Sequence, residues 1–208
     1  MSLTLEDLRI SNGMRAQMEL RGHMLADGAH QVGWKVGMGA PALLEKHKLT
    51  APIVGYVLDR AMLSSGATVS LEGWQRPVAE AEIAAYIGND LPAHSYRETV
   101  RKAILAIGSA IEPRDIMRDG ARLDGLKGRM TRSGWDVPVP ADLETNIGDI
   151  PNIVAHVADM AQATGDGLRA GQFIICGSLT APMFLQPGET RVEFALTPIG
   201  SISVRIAR

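Results

Sequence analysis

Two glutamates, Glu80 and Glu82, lie one residue apart in the otherwise apolar run from Val78 to Ile87. Such a run is typical of a strand, in which side chains at i and i+2 point to one face roughly 6 to 7 Å apart. Two carboxylates in that position repel each other by about 2 to 3 kcal/mol at an effective dielectric constant near 20. A cation between them would remove this repulsion, so the pair predicts a metal site that needs a third ligand.

A third acid, Glu112, ends a short apolar stretch that begins at Ala106 and is stopped by Pro113. Carboxylate oxygens are hard ligands that suit Mg²⁺ or Mn²⁺, whereas zinc prefers histidine and cysteine. We therefore predict that Glu80, Glu82 and Glu112 hold Mg²⁺ or Mn²⁺.

Two glycine-containing segments accompany these acids. The run from Gln31 to Met38 alternates like a strand, and its glycines permit close approach of another backbone. Lys35 lies in it beside Trp34, which favours a shaped pocket over a solvated strand position. The second segment is Gly177-Ser178-Leu179-Thr180, which follows an apolar run.

Four segments follow one another along the chain: Gly33 to Gly37, Glu80 to Ala84, Ala110 to Glu112, and Gly177 to Pro182. In residue types and order they resemble the segments of the fumarylacetoacetate hydrolase superfamily. Within it, the chain is similar to the 2-oxopent-4-enoate hydratases and 4-oxalocrotonate decarboxylases, whose ending resembles Ile199 to Arg205. The resemblance covers most of the chain from about Met14 onward.

The resemblance implies that Glu80, Glu82 and Glu112 are the metal ligands and that Lys35 lies at the active site. It also implies an α+β fold, a mixed β-sandwich roll with flanking helices, in keeping with the many short strand-like runs of the sequence. Backbone and hydroxyl groups of Gly177, Ser178 and Thr180 are expected to hold the substrate from the opposite side.

A divalent ion that chelates a 2-oxo acid stabilises an enolate, which serves hydration, decarboxylation and C–C cleavage alike. We therefore expect a hydratase or decarboxylase of aromatic catabolism that acts on a small 2-oxo or 2-hydroxydienoic acid. Lys35 would either pair with the substrate carboxylate or transfer a proton. Two alternatives stay open: a C–C bond hydrolase of the acylpyruvate type, and a non-catalytic accessory subunit of a hydratase or decarboxylase assembly.

One departure from the branch concerns the segment after Glu112. Hydratases of the branch carry there a segment with an Asp-Asn motif that helps to cover the substrate, and this chain runs almost directly into Leu126-Lys127-Gly128. We expect a pocket that is more open, or one that a neighbouring subunit completes.

Composition narrows the remaining possibilities. The 208 residues are expected to form one domain, 1–208, and a net charge of −2 gives no electrostatic reason to expect nucleic acid or an anionic membrane as a partner. Neither a signal peptide nor an apolar run long enough to span a membrane is visible, and the lone Cys176 cannot form an internal disulfide. We expect a cytoplasmic protein.

The helices predicted from apolar spacing are Gly13 to Ala26, Tyr96 to Ile107, and Pro151 to Ala163 with Asp149 as its N-cap. The first carries more apolar methionine and leucine than one small core needs, so we predict a homo-oligomer, with a complex with a related enzyme as a further possibility. The five histidines show no metal-ligand spacing, and Gly37-Met38-Gly39 lacks the third glycine of a dinucleotide loop.

Overall fold

Two β-sheets of six and five strands organise the chain, whose computed structural model describes residues 6–74, 76–111, 116–119 and 127–208. The described strands are β1 (Gln31–Gly37), β2 (Ile53–Leu58), β3 (Thr68–Ser70), β4 (Val78–Ala79), β5 (Ala81–Ile87), β6 (Ile104–Ile111), β7 (Ile116–Asp119), β8 (Lys127–Arg132), β9 (Trp135–Val137), β10 (Phe173–Ser178), β11 (Met183–Phe184), β12 (Arg191–Thr197) and β13 (Gly200–Ala207). The described helices are α1 (Leu8–Ala26), α2 (Pro41–His47), α3 (Arg97–Ala103), α4 (Glu144–Ile147) and α5 (Ile150–Ala163).

The larger sheet has the strand order β2-β1-β10-β5-β6-β7 and the smaller one β3-β13-β12-β8-β9, while β4 and β11 form a separate pair. Both large sheets are mixed, because β1 with β10 and β13 with β3 are parallel and the other pairs are antiparallel. Strands β12 and β13 pack against β6, and α5 packs against β10 and β1. This α+β arrangement of mixed sheets with flanking helices is the predicted fold class.

The six-stranded sheet carries a buried apolar cluster on each face. Alternate residues such as Trp34, Ile83 and Ile174 point into a core that they share with Phe194 and Leu196 of the second sheet and with α5. The opposite face carries a smaller cluster that includes Ala84, Tyr86, Ala106, Ala110, Phe173 and Ile175. A strand buried on both faces reads as a continuous apolar run, and β5 is buried at every position.

Helix α5 is confirmed, with one more residue at its start than predicted. The Asp149 side chain accepts a hydrogen bond from the Asn152 amide at 2.9 Å and forms an ion pair with Arg97. That ion pair holds the pKa of the Asp149 carboxyl below its usual range. The Asp149 side chain therefore contacts both the start of α5 and Arg97 of α3.

The predicted helix from Tyr96 to Ile107 is wrong in its last four residues. Helix α3 ends at Ala103, and Ile104 begins β6, which pairs with β5 along most of its length. The run from Ile104 to Ile111 has apolar residues for both faces of a sheet, and pairing with β5 buries all of them except Leu105. Tertiary pairing thus overrides the helical spacing.

Helix α1 begins earlier than predicted, at Leu8, and buries only Met14 completely. Leu8 and Leu20 are 73% and 51% exposed. The homo-oligomer that the composition of this helix suggested stays a prediction. Across the described ranges, no helix combines the length and apolar character needed to cross a membrane.

His156 joins α5 to the segment that contains Pro52, and the strength of this attachment can be tested by changing the pH. Its Nε2–H donates to the Pro52 carbonyl at 2.8 Å, and burial lowers its pKa below the ordinary value of 6.5, although Pro52 and Asp159 act in the opposite direction. The unfolded chain then binds the proton more readily than the folded one, so stability present above pH 6.5 is lost as the pH falls below it.

We predict that the thermal midpoint falls less between pH 7.5 and pH 5.5 in His156→Gln than in the unmodified protein, as measured by circular dichroism. The matched control is His23→Gln, at an exposed position on α1, which should follow the unmodified protein. Equal pH dependence in all three proteins would contradict the assignment.

Candidate metal and substrate site

One cavity of about 450 Å³ brings together six of the seven predicted site residues. These six are Lys35, Glu80, Glu82, Gly177, Ser178 and Thr180. The seventh, Glu112, lies outside the described residues. The six come from three separate parts of the sequence, so their common location is a product of the fold.

The two glutamates reach the cavity from the junction of two sheets. Glu80 stands between β4 and β5, so the continuous strand expected from Val78 to Ile87 is interrupted at this residue. Glu82 lies on β5, where its backbone pairs with Ser178 on one side and Ala110 on the other. Its side chain is only 5% exposed, and Glu80 is half-buried.

Lys35 stands on the same face of the six-stranded sheet as Glu82. The register pairs Lys35 with Ile175, and Ile175 with Ala84, which lies two residues beyond Glu82 on β5. Directly opposed residues and residues at i+2 share a face, which places the ammonium and the carboxylate on one side of the sheet. Lys35 is half-buried there.

Gly33 is the reason why β1 can approach β10 this closely. A Cβ atom at this position would lie 2.4 Å from the carbonyl oxygen of Phe173, a distance that no side chain tolerates. Glycine is therefore required for the pairing that carries Lys35 toward the acids.

The end of β10 forms the wall opposite Lys35. Gly177 has a φ of +127°, and a Cβ atom there would lie 3.2 Å from the Ile147 side chain, so glycine serves both the backbone and the packing. The Ser178 hydroxyl donates to the Thr180 carbonyl at 2.9 Å, which fixes the turn that follows the strand.

Thr180 presents a buried hydroxyl to this cavity. Within the described part of the chain, its Oγ1 has no hydrogen-bond partner, and the residue is 8% exposed. A buried hydroxyl without a partner costs free energy, so a group that offers one is favoured at this position. This hydroxyl is therefore available to form a hydrogen bond with a polar ligand atom.

The sequence analysis missed Asn146, a residue of the short helix α4 that also lines the cavity. Its Nδ2–H donates to the Leu179 carbonyl at 2.8 Å, which ties α4 to the turn that bears Thr180. An isolated asparagine in a polar segment gives no signal in the sequence, because only its contact with Leu179 distinguishes it.

The arrangement suits a divalent cation. Two carboxylates from neighbouring positions share one cavity, and one of them is buried, which is costly unless positive charge or hydrogen-bond donors face it. Hard carboxylate oxygens without histidine or thiolate ligands match Mg²⁺, Ca²⁺ or Mn²⁺ better than zinc. Among the described residues no cluster of three acids, histidines or cysteines is found, and the predicted third ligand Glu112 is outside that set.

Cys176 borders the cavity but is closed to reagents. Burial, and secondarily the negative charge of Glu82, holds the pKa of its thiol far above the ordinary value, and the side chain is 1% exposed. A buried neutral thiol is a poor nucleophile and a poor metal ligand. We conclude that Cys176 contributes to the cavity wall alone.

The inertness of Cys176 is testable because it is the single cysteine of the chain. We predict that the native protein fails to react with Ellman's reagent at pH 8 and releases one equivalent of thiolate after unfolding in urea. A second protein, Ser70→Cys, adds an exposed thiol on β3 and should react at once with one equivalent. Rapid reaction of the unmodified native protein would show that the cavity is open to Cys176.

Comparison with known proteins finds sequence relatives that are named as enzymes. No protein-family model matches the chain. Over 228 residues it is 23% identical to a 4-oxalocrotonate decarboxylase of Pseudomonas sp., covering 97% of this chain and 89% of the relative. Over 212 residues it is 24% identical to 2-keto-4-pentenoate hydratase 1 of Dechloromonas aromatica (strain RCB), covering 88% and 80% respectively.

Solved structures show the same fold. The 4-oxalocrotonate decarboxylase from Pseudomonas putida G7, complexed with magnesium and adipate, superposes with a TM-score of 0.81 at 22% identity, over 100% of this chain and 90% of that one. The fumarylacetoacetate hydrolase from Exiguobacterium antarcticum gives a TM-score of 0.68 at 12% identity, over 86% and 76%. The predicted resemblance is confirmed: the chain has the fold of the fumarylacetoacetate hydrolase superfamily and is similar in sequence to its 4-oxalocrotonate decarboxylase and 2-keto-4-pentenoate hydratase branch.

Proposed function

We propose that this chain is a divalent-metal-dependent hydratase or decarboxylase that acts on a small 2-oxo or 2-hydroxydienoic acid. The observation that carries the proposal is the single cavity that groups Glu80 and Glu82 with Lys35 and the unpartnered Thr180 hydroxyl of the described chain. Further support comes from the relatives, which are named as decarboxylases and hydratases, and from the solved decarboxylase that binds magnesium and adipate.

In this proposal Glu80, Glu82 and Glu112 hold Mg²⁺ or Mn²⁺. The bound ion would act as a Lewis acid that polarises the 2-oxo group and stabilises the enolate. The protein's part is to hold both carboxylates in the right place, and the paired strands β10, β5 and β6 around Glu82 give it a rigid base.

Lys35 has two roles open to it. Its ammonium could bind the substrate carboxylate, since it is a cation on the same face as Glu82 and lines the cavity of both acids. It could instead move a proton to or from a substrate carbon in the enolised acid. Both roles place Lys35 in contact with the substrate.

The end of β10 would hold the substrate from the other side. Thr180 Oγ1 is available for a substrate oxygen, and Gly177 leaves room for the substrate to approach the backbone. The Ser178 hydroxyl already donates to the Thr180 carbonyl, so we propose that Ser178 chiefly positions the turn that bears Thr180. Its direct contact with the substrate stays a prediction.

Two alternatives are kept. An acylpyruvate-type hydrolase would need a base to activate water, and no histidine is among the described residues that line the cavity. A non-catalytic accessory subunit would have no reason to keep two acids and a lysine in one cavity. The homo-oligomer, a complex with a related enzyme and a cytoplasmic location remain predictions.

The metal proposal predicts the behaviour of Glu82→Gln, which keeps the shape of the side chain and removes its charge. By isothermal titration calorimetry with Mn²⁺, we expect the affinity to fall by more than about 100-fold, since loss of an outer-shell partner alone costs 10- to 100-fold. Turnover of 2-hydroxypenta-2,4-dienoate should fall with it. The exposed Glu72→Gln is the matched control, and equal Mn²⁺ affinity in both variants would reject the site.

The role of Thr180 predicts the behaviour of Thr180→Val, which removes the hydroxyl at nearly constant volume. We expect the affinity for oxalate, measured with Mn²⁺ present, to fall by about 2- to 10-fold, the worth of one hydrogen bond. The thermal midpoint should not fall, because the lost hydroxyl has no partner within the described residues. The exposed Thr68→Val serves as control, whereas a lower midpoint with unchanged oxalate affinity would indicate a purely structural hydroxyl.

A further inference from the structure

A second cavity, of about 660 Å³, adjoins the first, and Lys35 lines both. It lies beside β2, β1 and β10, and its lining includes Val57, Phe173 and Ile175 from the face of the sheet that carries Lys35. Residues that form its walls include Tyr56, Val57, Met62, Val69, Phe173 and Ile175. Lys35 is therefore shared by the cavity with the acids and this one.

The strand register indicates that the two cavities lie close together. Ile175, in the wall of the second cavity, pairs with Ala84, and Glu82 lies two residues from Ala84 on the same face. Diagonal neighbours of this kind are about 7 to 8 Å apart. A molecule whose acid end lies at Glu82 needs only a few carbon atoms to pass Lys35 and reach Ile175.

The walls of the second cavity are chemically unlike those of the first. They are aliphatic, aromatic or thioether side chains, with Lys35 and Arg60 as the only charged groups among the described lining residues. The Arg60 Nη2–H donates to the Asp27 carbonyl at 2.5 Å, so this guanidinium is partly engaged at the rim. Lys35 lies on the side shared with the first cavity, and apart from these two cations the described lining is apolar, which favours a hydrocarbon group.

The cavity is also large enough for a ring. A protein cavity of about 150 Å³ lined by apolar side chains binds benzene, and this one is roughly four times larger. It is open on one side, where Leu63 and Trp74 are 36% and 56% exposed. The length of a bound group is therefore not limited by a closed end.

We propose that this second cavity is the subsite for an apolar, alkyl or aryl, tail of the 2-oxo acid. The inference rests on the proposed function, because it takes the acid head to lie at Glu80 and Glu82. It narrows the substrate class: the chain prefers 2-oxo acids with a hydrocarbon tail over those that end in a second carboxylate.

The test is isothermal titration calorimetry of the full chain with Mn²⁺ and four probes: oxalate, pyruvate, 2-oxohexanoate and 2-oxoadipate. Oxalate has a head and no tail, so it reports on the metal site alone. Each buried methylene strengthens binding by about fourfold, so 2-oxohexanoate is expected to bind at least about tenfold more tightly than pyruvate. It should also bind more tightly than 2-oxoadipate.

A matched pair of variants, Met62→Glu and Met62→Lys, places opposite charges at one position in the wall. Both should abolish the advantage of 2-oxohexanoate, and only Met62→Lys should improve binding of 2-oxoadipate. Oxalate affinity should stay within about twofold in both. Leu20→Glu, which charges an exposed leucine on α1, controls for the added charge and should leave the order of affinities unchanged.

The outcomes separate the two proposals. If the unmodified protein fails to bind oxalate with Mn²⁺, the proposed function fails and the tail subsite falls with it. If oxalate binds and the three 2-oxo acids bind equally, the metal site stands and the tail subsite is overturned. If the Met62 variants change the sedimentation coefficient without changing the order of affinities, the cavity belongs to a contact between copies, which also overturns the subsite.

Discussion

The free-energy cost of placing the Glu82 carboxylate inside the protein is the constraint on which the rest of the site depends. A carboxylate that is 5% exposed is tolerated only where positive charge or hydrogen-bond donors face it. The fold meets this requirement by bringing together residues that are far apart in the sequence. Glu80 lines the same cavity and adds to this cost, whereas the strand register brings the cation Lys35 to the same face of the sheet as Glu82. A divalent ion would satisfy the same requirement more fully.

Strand β10 is the element through which this arrangement is built. It lies between β1 and β5, parallel to one and antiparallel to the other, so it joins the strand of the lysine to that of the acid. Its register with β5 shifts between Ile175 and Ser178, where Gly177 adopts a positive φ. The chain then turns across the cavity and presents the Thr180 hydroxyl. The irregularity thus re-aims the backbone at the place where a substrate would lie.

The two faces of the six-stranded sheet carry different side chains. One face packs Trp34, Ile83 and Ile174 against the second sheet and α5. The other carries small residues, such as Ala84, beside Lys35 and Glu82. Small side chains leave volume above the sheet, and the two cavities occupy that volume at β1 and β10. A polar site next to an apolar one on a single rigid surface suits a molecule with an acid head and a hydrocarbon tail.

Much of this could be predicted from the sequence, and the limits have physical reasons. The glycines around Lys35 and the Asp149 cap are local signals, and local geometry is enough to interpret them. The spacing of Glu80 and Glu82 was interpreted on a continuous strand, which the structure interrupts at Glu80. The helix predicted through Ile107 was wrong beyond Ala103, because pairing of β6 with β5 outweighs helical spacing. Asn146 was missed because its importance lies in one contact with Leu179.

The sequence by itself determined the residue types, their order along the chain and the chemistry that they can perform, since these follow from side-chain identity and short-range spacing. Only the tertiary structure decided that six of those residues share one cavity, and that Lys35 also lines a second, more apolar one. The physical reason is that strand register, which brings residues 35, 82 and 175 onto one face, is set by long-range hydrogen bonding and packing.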